Sequence, residues 1–278
     1  MTGLALAFAA SAAAAQTTPA APAPTTSSIV QAQPAPAGSE TVVEAAPTHP
    51  LSGQCSVPTS EIAAPAPLPT LVGRLEKNLP LRILAIGSSS TWGVGATSNR
   101  KNYPSQLEGM LERVLKDIPI EMINRGVSGE TAGTTADRLR MEAALIKPDL
   151  VLWQVGTNDA VQRVSVESFE RTVGKTVAVL KRKKIDVVLV GLQYTPKFAR
   201  DEHYFAIREA LKRVAAEQNV IYVRRYQAME YIAKTKASIR MMADDDFHLN
   251  DLGYQCMAEH IAQAVTANLF VRRRKPAS

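Results

Sequence analysis

Basic residues are missing from the first quarter of this 278-residue chain, since no lysine or arginine precedes Arg74. Bulky apolar side chains are also scarce between residues 16 and 70, where eleven of the 17 prolines occur among Ala, Thr and Ser. A segment of this composition cannot bury enough apolar surface to offset the entropy that is lost on folding. We therefore expect residues 16–70 to form a disordered, polyproline-like linker. A single folded domain over residues 71–271 and a basic tail over 272–278 should follow it.

Long apolar runs are also lacking. The run over residues 4–15 is shorter than the roughly 18–20 apolar residues that a transmembrane helix needs, and we expect no membrane span. Small residues end this run, and the pattern predicts a signal peptide over residues 1–15, although residues 1–3 lack the usual positive charge. We expect a periplasmic or secreted protein; an alanine-rich tail without a role in export is the alternative.

Cysteine is nearly absent, with Cys55 and Cys256 as the only two. No cluster of Cys or His has the spacing of zinc ligands, so we expect no metal. In an exported protein the two cysteines could pair and tie the end of the linker to the last helix. Alternatively, Cys256 is a small core residue, because it shares one helix face with Leu252 and His260. The sequence leaves both possibilities open.

Signatures of nucleotide and nucleic-acid binding are missing as well. No Gly-Lys-Ser or Gly-Lys-Thr follows the first predicted strand, and Gly93-Val94-Gly95 lacks the third glycine of a dinucleotide-binding loop, so we expect no cofactor. The net charge is +6, but the basic runs at 181–184 and 272–275 are not interleaved with aromatic residues. We therefore expect no nucleic-acid partner.

Short apolar runs alternate with amphipathic segments from residue 80 onward. The runs have the length and the Val, Ile and Leu content of buried strands. This alternation predicts a three-layer α/β/α sandwich around a five-stranded parallel sheet, of the flavodoxin-like type. Either Asn250 or Asp251 is expected to cap the last helix. The predicted strands are 81–86, 120–123, 150–155, 187–192 and 220–223, and the predicted helices are 104–116, 134–146, 166–183, 204–217 and 252–269.

Three polar loops follow predicted strands, and a fourth precedes the last helix. Residues 87–93 read Gly-Ser-Ser-Ser-Thr-Trp-Gly, 124–131 read Asn-Arg-Gly-Val-Ser-Gly-Glu-Thr, and 156–159 read Gly-Thr-Asn-Asp. Residues 244–250 read Asp-Asp-Asp-Phe-His-Leu-Asn. Because ligands of open parallel sheets bind beyond the carboxyl ends of the strands, we expect these loops to form the functional site.

The residue types in these loops match the needs of acyl transfer. A serine hydroxyl becomes a good nucleophile when a base removes its proton, and histidine suits that task at neutral pH. A carboxylate that orients the histidine improves it further. The oxyanion of the tetrahedral intermediate needs fixed N–H donors, which glycine amides and an asparagine side chain can supply.

The four loops resemble the conserved blocks of the SGNH/GDSL hydrolases, and the resemblance spans residues 82–265. It implies that Ser89 is the nucleophile and that Asp245 and His248 are the Asp-x-x-His pair. It also implies that the backbone amide of Ser89, Gly129 and Asn158 form the oxyanion hole. This order of blocks is specific, whereas a serine-rich turn alone more often caps a helix.

One position departs from the family pattern. The family has aspartate before the nucleophile, whereas this chain has Ser88. Ser88, Ser89 and Ser90 are therefore all candidates for the nucleophile, and spacing from Gly87 favours Ser89. His203 is the rival base, but it lacks a carboxylate three residues earlier.

Several of these residues also have structural interpretations, which for Asn158 the other blocks disfavour. Gly126 and Gly129 could serve backbone geometry alone, and Asn158 could form a turn with Asp159. Histidine 49 should be solvent-exposed in the linker, and His260 should be a packing or surface residue. Trp153 is expected in the core.

The resemblance implies a serine esterase that acts through an acyl-enzyme, and the predicted signal peptide implies that it is exported. The compact serine loop and the predicted export favour small esters, such as the acetyl esters of carbohydrates, as substrates. Trp92 and Tyr194, the latter with Phe198, are candidate substrate-binding residues, and for Trp92 packing is as good an explanation. An O-acyltransferase that uses the same site and a non-catalytic binding module of the same fold are the alternatives.

Overall fold

The runs of Val, Ile and Leu form the strands at the centre of this protein. A computed structural model describes residues 49–269. The predicted signal peptide, residues 16–48 of the predicted linker and the predicted basic tail lie outside the described residues. The strands are β1 (Ala63–Ala64), β2 (Leu81–Gly87), β3 (Ile120–Gly126), β4 (Leu150–Gln154), β5 (Asp186–Val190) and β6 (Ile221–Val223).

Helices connect the strands. The five predicted helices agree with the structure to within a few residues, whereas the helices over 69–75, 89–92, 157–161 and 225–235 have no predicted counterpart. Asn250 precedes the last helix, and its Oδ1 accepts a hydrogen bond from the N–H of Gly253, as expected of a cap. The helices are α1 (Pro69–Leu75), α2 (Ser89–Trp92), α3 (Tyr103–Val114), α4 (Ala132–Ile146), α5 (Thr157–Val161), α6 (Val166–Arg182), α7 (Glu202–Gln218), α8 (Arg225–Thr235) and α9 (Asp251–Leu269).

The sheet has the strand order β1-β6-β5-β4-β2-β3. Strands β2 to β6 are parallel, and their order is that of a flavodoxin-like sheet, so the predicted fold class is confirmed. The count of five strands was one too low, because β1 adds an antiparallel sixth strand beside β6. Strand β2 lies between β3 and β4, which makes the end of β2 the point where the chain switches sides.

Both faces of the sheet are covered by helices. Alternate strand residues contribute to two separate apolar clusters, with Ile83 and Leu152 in one and Leu84 and Trp153 in the other. Helices α1, α3, α8 and α9 pack on the first face, and α4, α6 and α7 pack on the second. Because β4 and β5 are buried along their whole length, both are apolar in sequence except for Gln154 at the end of β4 and Asp186 at the start of β5. Trp153 is a core residue, as predicted.

The segment from residue 49 to residue 70 corrects the sequence prediction, which assigned it to the disordered linker. It contains β1, whose residues pair with Tyr222 and Val223, and its Ile62 carbonyl accepts a hydrogen bond from the N–H of Arg224. Histidine 49 is buried rather than exposed, and its N–H donates to Thr266 Oγ1. Proline-rich composition hides this order, because the segment is held by contacts with distant residues rather than by local propensity.

A disulfide joins Cys55 to Cys256 across 201 positions of the sequence. It links the segment before β1 to α9. Nearby, the ring of His260 is hydrogen-bonded through Nε2 to the Cys55 carbonyl at 2.7 Å. Of the two interpretations that the sequence leaves open, the structure therefore has the paired one, and Cys256 is also buried. None of the helices between residues 49 and 269 combines the length and the hydropathy of a membrane span.

Candidate active site

The polar loops after β2, β3 and β4 meet at the carboxyl edge of the sheet. Strand register brings them together, since Gly87 lies opposite Gly126 and Ile86 lies opposite Trp153. The short helix α2 begins directly after β2 and carries Ser89 as its first residue. Gly126 makes room for this helix, because a Cβ atom there would lie 2.1 Å from the backbone nitrogen of Trp92.

Ser89, His248 and Asp245 form a continuous hydrogen-bonded line. Nε2 of His248 lies 3.2 Å from Ser89 Oγ, and Nδ1 lies 2.5 Å from Asp245 Oδ2. The other carboxylate oxygen of Asp245 accepts hydrogen bonds from the N–H groups of Phe247 and His248. Ser89 and His248 are 159 positions apart in the sequence, so the fold brings them together.

The carboxylate of Asp245 stays ionised at neutral pH. Its partial burial favours the neutral form, but the hydrogen bonds from the His248 side chain and from two backbone N–H groups outweigh this and lower the pKa of Asp245 to about 2. A fixed negative charge at Nδ1 holds the ring with Nε2 facing the serine and stabilises the protonated imidazole.

The three consecutive serines have different partners, and this distinguishes them. Ser88 bonds through its N–H and its hydroxyl to Gln154 Oε1, at 3.1 and 2.9 Å. Ser90 Oγ bonds to the side chain of Gln193. Within residues 49–269, only the hydroxyl of Ser89 is within hydrogen-bond distance of a histidine ring. Ser88, which stands where the family pattern has aspartate, therefore connects the turn between β2 and α2 to the end of β4 by hydrogen bonds.

The second and third loops are locked to each other beside Ser89. Asn158 Nδ2 donates to the carbonyl of Glu130 at 2.8 Å, and Gln162 Nε2 donates to the carbonyl of Gly129 at 3.1 Å. An amide nitrogen carries two hydrogens, so Asn158 keeps a second N–H for a substrate oxygen. Gly129 has a φ of +84°, a conformation that glycine adopts without strain.

Asp159 adds a further hydrogen bond between the second and third loops. It is buried, and its Oδ1 accepts a hydrogen bond from the N–H of Ala132, the first residue of α4. Its Oδ2 has no hydrogen-bond partner among the described residues. Burial raises the pKa of Asp159 to about 6, even though backbone N–H groups of Ala132, Asp159 and Gly156 act in the opposite direction.

The two aromatic candidates for substrate binding differ in exposure. Trp92 is 61% exposed at the end of α2, three residues after Ser89. Tyr194 instead packs edge-on against Tyr226, with ring centroids 5.3 Å apart, as a partly buried member of the core. Phe247 was not predicted as a site residue, yet its ring packs edge-on against that of His248, with ring centroids 5.1 Å apart. Its place between Asp245 and His248 was the available signal.

Other possible sites are weaker. Nε2 of the His203 ring is buried and has no hydrogen-bond partner among residues 49–269, so it does not hydrogen-bond to a serine. Residues 49–269 contain no group of three or more His, Cys, Asp or Glu side chains that could hold a metal. A cavity of about 550 Å³, lined by α1 and the amino end of β5, lies at the opposite edge of the sheet.

Comparison with known proteins finds esterases. The model of the non-GDSL lipase-like family matches residues 54–269. An arylesterase of Vibrio mimicus is 24% identical over 190 residues, which are 68% of this chain and 90% of that protein. An acetylxylan esterase of Geobacillus stearothermophilus is 23% identical over 173 residues, which are 56% of this chain and 77% of that protein.

Solved structures share the fold. A two-domain esterase active on acetylated mannans superposes with a TM-score of 0.66 at 21% identity, over 80% of this chain and 61% of the other. This chain thus spans about three fifths of that esterase. A catalytic mutant of an acetylxylan esterase from Geobacillus stearothermophilus superposes with a TM-score of 0.58 at 21% identity, over 69% of this chain and 97% of the other.

The burial of Asp159 makes stability depend on pH. Between the ordinary pKa of 3.8 and the raised value of about 6, the unfolded chain releases the proton while the folded chain keeps it. The stability that Asp159 contributes is therefore fully present below about pH 4 and is lost as the pH rises through about 6. Asp159→Asn keeps the acceptor for Ala132 without the ionisation. Relative to this variant, the wild type should lose on the order of 2 kcal/mol between pH 4 and 7.

Urea unfolding of both proteins at pH 4, 5, 6 and 7 measures this difference. A difference in the free energy of unfolding that does not change with pH would contradict the interpretation. The wild type gaining on the variant as the pH rises would contradict it as well.

Proposed function

Because the chain belongs to the non-GDSL lipase-like family and is an ester-hydrolysing enzyme of the SGNH/GDSL type, we propose that it is an exported serine esterase with Ser89, His248 and Asp245 as its catalytic triad. The observation that carries this proposal is the hydrogen-bonded line of these three side chains. A binding module would have no need for such a line.

The reaction begins when His248 Nε2 removes the proton of Ser89 and the serine oxygen attacks the ester carbonyl. The carbonyl oxygen becomes an oxyanion, which accepts hydrogen bonds from the backbone N–H groups of Ser89 and Gly129 and from Asn158 Nδ2. Collapse of this intermediate breaks the ester C–O bond, and His248 returns the proton to the departing alcohol. The acyl group remains on Ser89.

Water completes the cycle. His248 removes a proton from the water molecule as it attacks the acyl-enzyme, and a second oxyanion forms in the same place. Its collapse releases the carboxylic acid and restores the hydroxyl of Ser89. The imidazolium forms in both halves of the reaction, and the ionised Asp245 stabilises it each time.

The proposed substrates are acetyl esters of polysaccharides. Relatives of this chain include an acetylxylan esterase and an esterase active on acetylated mannans. Trp92 supports the assignment, because an exposed indole next to the nucleophile offers a flat apolar face to a sugar ring. Tyr194 is a poorer candidate, since its ring packs against Tyr226.

The proposed location is the periplasm or the exterior of the cell. The signal-like pattern of residues 1–15 supports export. The disulfide between Cys55 and Cys256 also supports it, because disulfides persist in oxidising compartments.

Removal of either partner of the proton transfer tests the triad. Ser89→Ala and His248→Ala should each lower kcat for 4-nitrophenyl acetate by roughly 10⁴-fold or more, because both act in the same step. The double variant should be no worse than either single one. His203→Ala, which removes the rival base, should keep wild-type activity. Full activity in Ser89→Ala would refute the assigned nucleophile, and loss of activity only in His203→Ala would refute the assigned base.

Replacement of Trp92 tests the sugar substrate. Trp92→Ala should raise KM for acetylated xylo-oligosaccharides about fivefold, since stacking on an aromatic ring contributes about 1 kcal/mol. The kcat/KM for 4-nitrophenyl acetate should stay within about twofold of the wild-type value. The KM of Trp92→Phe for the oligosaccharides should lie between those of the wild type and Trp92→Ala. Equal losses on both substrates would contradict sugar stacking. Acetate released into solution distinguishes hydrolysis from transfer to a sugar hydroxyl.

A further inference from the structure

A charged side chain lies wholly inside the protein beneath the candidate active site. Arg225, the first residue of α8, is only 2% exposed. Its Nη2 donates to Ser90 Oγ at 3.1 Å and to Gln193 Oε1 at 2.9 Å. Nε and Nη1 have no hydrogen-bond partner among the described residues. Both acceptors of Arg225 within residues 49–269 are therefore neutral side chains.

This arrangement is costly for folding. A buried guanidinium without a carboxylate partner forgoes most of the hydration that it has in water. Burial accordingly lowers the pKa of Arg225, although the nearby rings of Tyr254, Tyr204 and Tyr103 act in the opposite direction. An apolar side chain would fill the same space at lower cost, so the hydrogen bonds of Arg225 call for an explanation other than stability.

The two acceptors of Arg225 lead to opposite halves of the proton-transfer pair. Ser90 follows Ser89 in α2, so one bond holds the turn that carries the nucleophile. Gln193 Nε2 donates at 2.6 Å to the carbonyl of Phe247, the residue before His248. The other bond of Arg225 thus holds the loop that carries the base.

Further contacts make Gln193 a fixed point. Its Oε1 also accepts from the hydroxyl of Ser90 at 3.3 Å, which closes a triangle with Arg225. Its backbone carbonyl accepts from the buried hydroxyl of Tyr204 at 2.7 Å. Two residues later, Thr195 Oγ1 donates to the carbonyl of Asp246, in the same loop as His248.

We propose that Arg225, Gln193 and Ser90 form a buried brace that sets the distance between Ser89 Oγ and His248 Nε2. They are positioning residues, since none of them is in the line of proton transfer. The proposal rests on the function proposed above, because a distance between nucleophile and base matters only if both act. That distance is 3.2 Å, at the upper end of the range for direct proton transfer, and a shift of about 1 Å can cost roughly 100-fold in rate.

Variants that cut each arm of the brace test it. Gln193→Met keeps the length of the side chain but removes all three hydrogen bonds of its amide. Ser90→Ala removes the hydroxyl beside the nucleophile. Gln193→Met should lower kcat for 4-nitrophenyl acetate about 10- to 100-fold with KM within about twofold, because binding contacts stay in place. Ser90→Ala should lower kcat less. The variant with both Gln193→Met and Ser90→Ala should lose less kcat than the product of the two single losses, because both substitutions interrupt the same connection between nucleophile and base.

Arg225→Met should lower kcat at least as much as Gln193→Met. Should it fail to fold, the two other single variants decide, since both retain Arg225. Met229→Ala is the matched control, because Met229 is a buried core residue on the same helix that has no part in the brace. It should lower the melting temperature but keep kcat when measured well below that temperature. An equal loss of kcat in this control would show a general effect of destabilisation and overturn the brace.

The outcome for Ser89→Ala separates the two proposals. An inactive Ser89→Ala together with wild-type kcat in folded Gln193→Met and Ser90→Ala would refute the brace and leave the esterase mechanism intact. An active Ser89→Ala would refute the mechanism itself, and the brace with it. Loss of activity through KM alone in Gln193→Met would also overturn the brace, because it would indicate a substrate contact instead.

Discussion

The position of Ser89 depends on the parallel pairing of β2 with both of its neighbours. Because β2 lies between β3 and β4, the loop after it opens at the point where the chain switches sides. Helices that return the chain to the amino edge after each strand place all three polar loops at the opposite edge. Residues separated by 159 positions can then meet without any long excursion of the backbone.

The carboxyl edge of the sheet buries several polar groups. At the carboxyl edge, the interior contains the hydroxyl of Ser88 on Gln154, the carboxyl of Asp159 and the guanidinium of Arg225. Each opposes folding through its desolvation, and each is tied to a loop that carries a proposed site residue. The apolar clusters on both faces of the sheet offset this cost. Stability and site geometry thus come from different parts of one fold.

Much of the fold could be predicted from the sequence, because strands covered on both faces are mostly apolar. β4 and β5 are examples. The two-residue strand β1 could not be predicted, since it depends on pairing with β6 and on the disulfide at Cys55. Helix α8 was not predicted, because it begins with a buried arginine and its apolar face is therefore not evident in the sequence.

The candidate site divides in the same way. Ser89, His248 and Asp245 lie in short motifs with a recognisable spacing, and the structure brings their side chains into hydrogen-bond contact. Gln193 and Arg225 belong to no motif, and they meet Ser90 across 103 and 135 positions. A polar residue of this kind has no local signal, because its role is set by the tertiary contacts alone.

Covalent labelling tests the central claim most directly. A fluorophosphonate, which reacts with an activated serine, should form one adduct, and peptide mass spectrometry should place it on Ser89. The adduct should be absent in His248→Ala, where no base activates the hydroxyl. An adduct on Ser88 or Ser90, or equal labelling of the His248→Ala protein, would contradict the account.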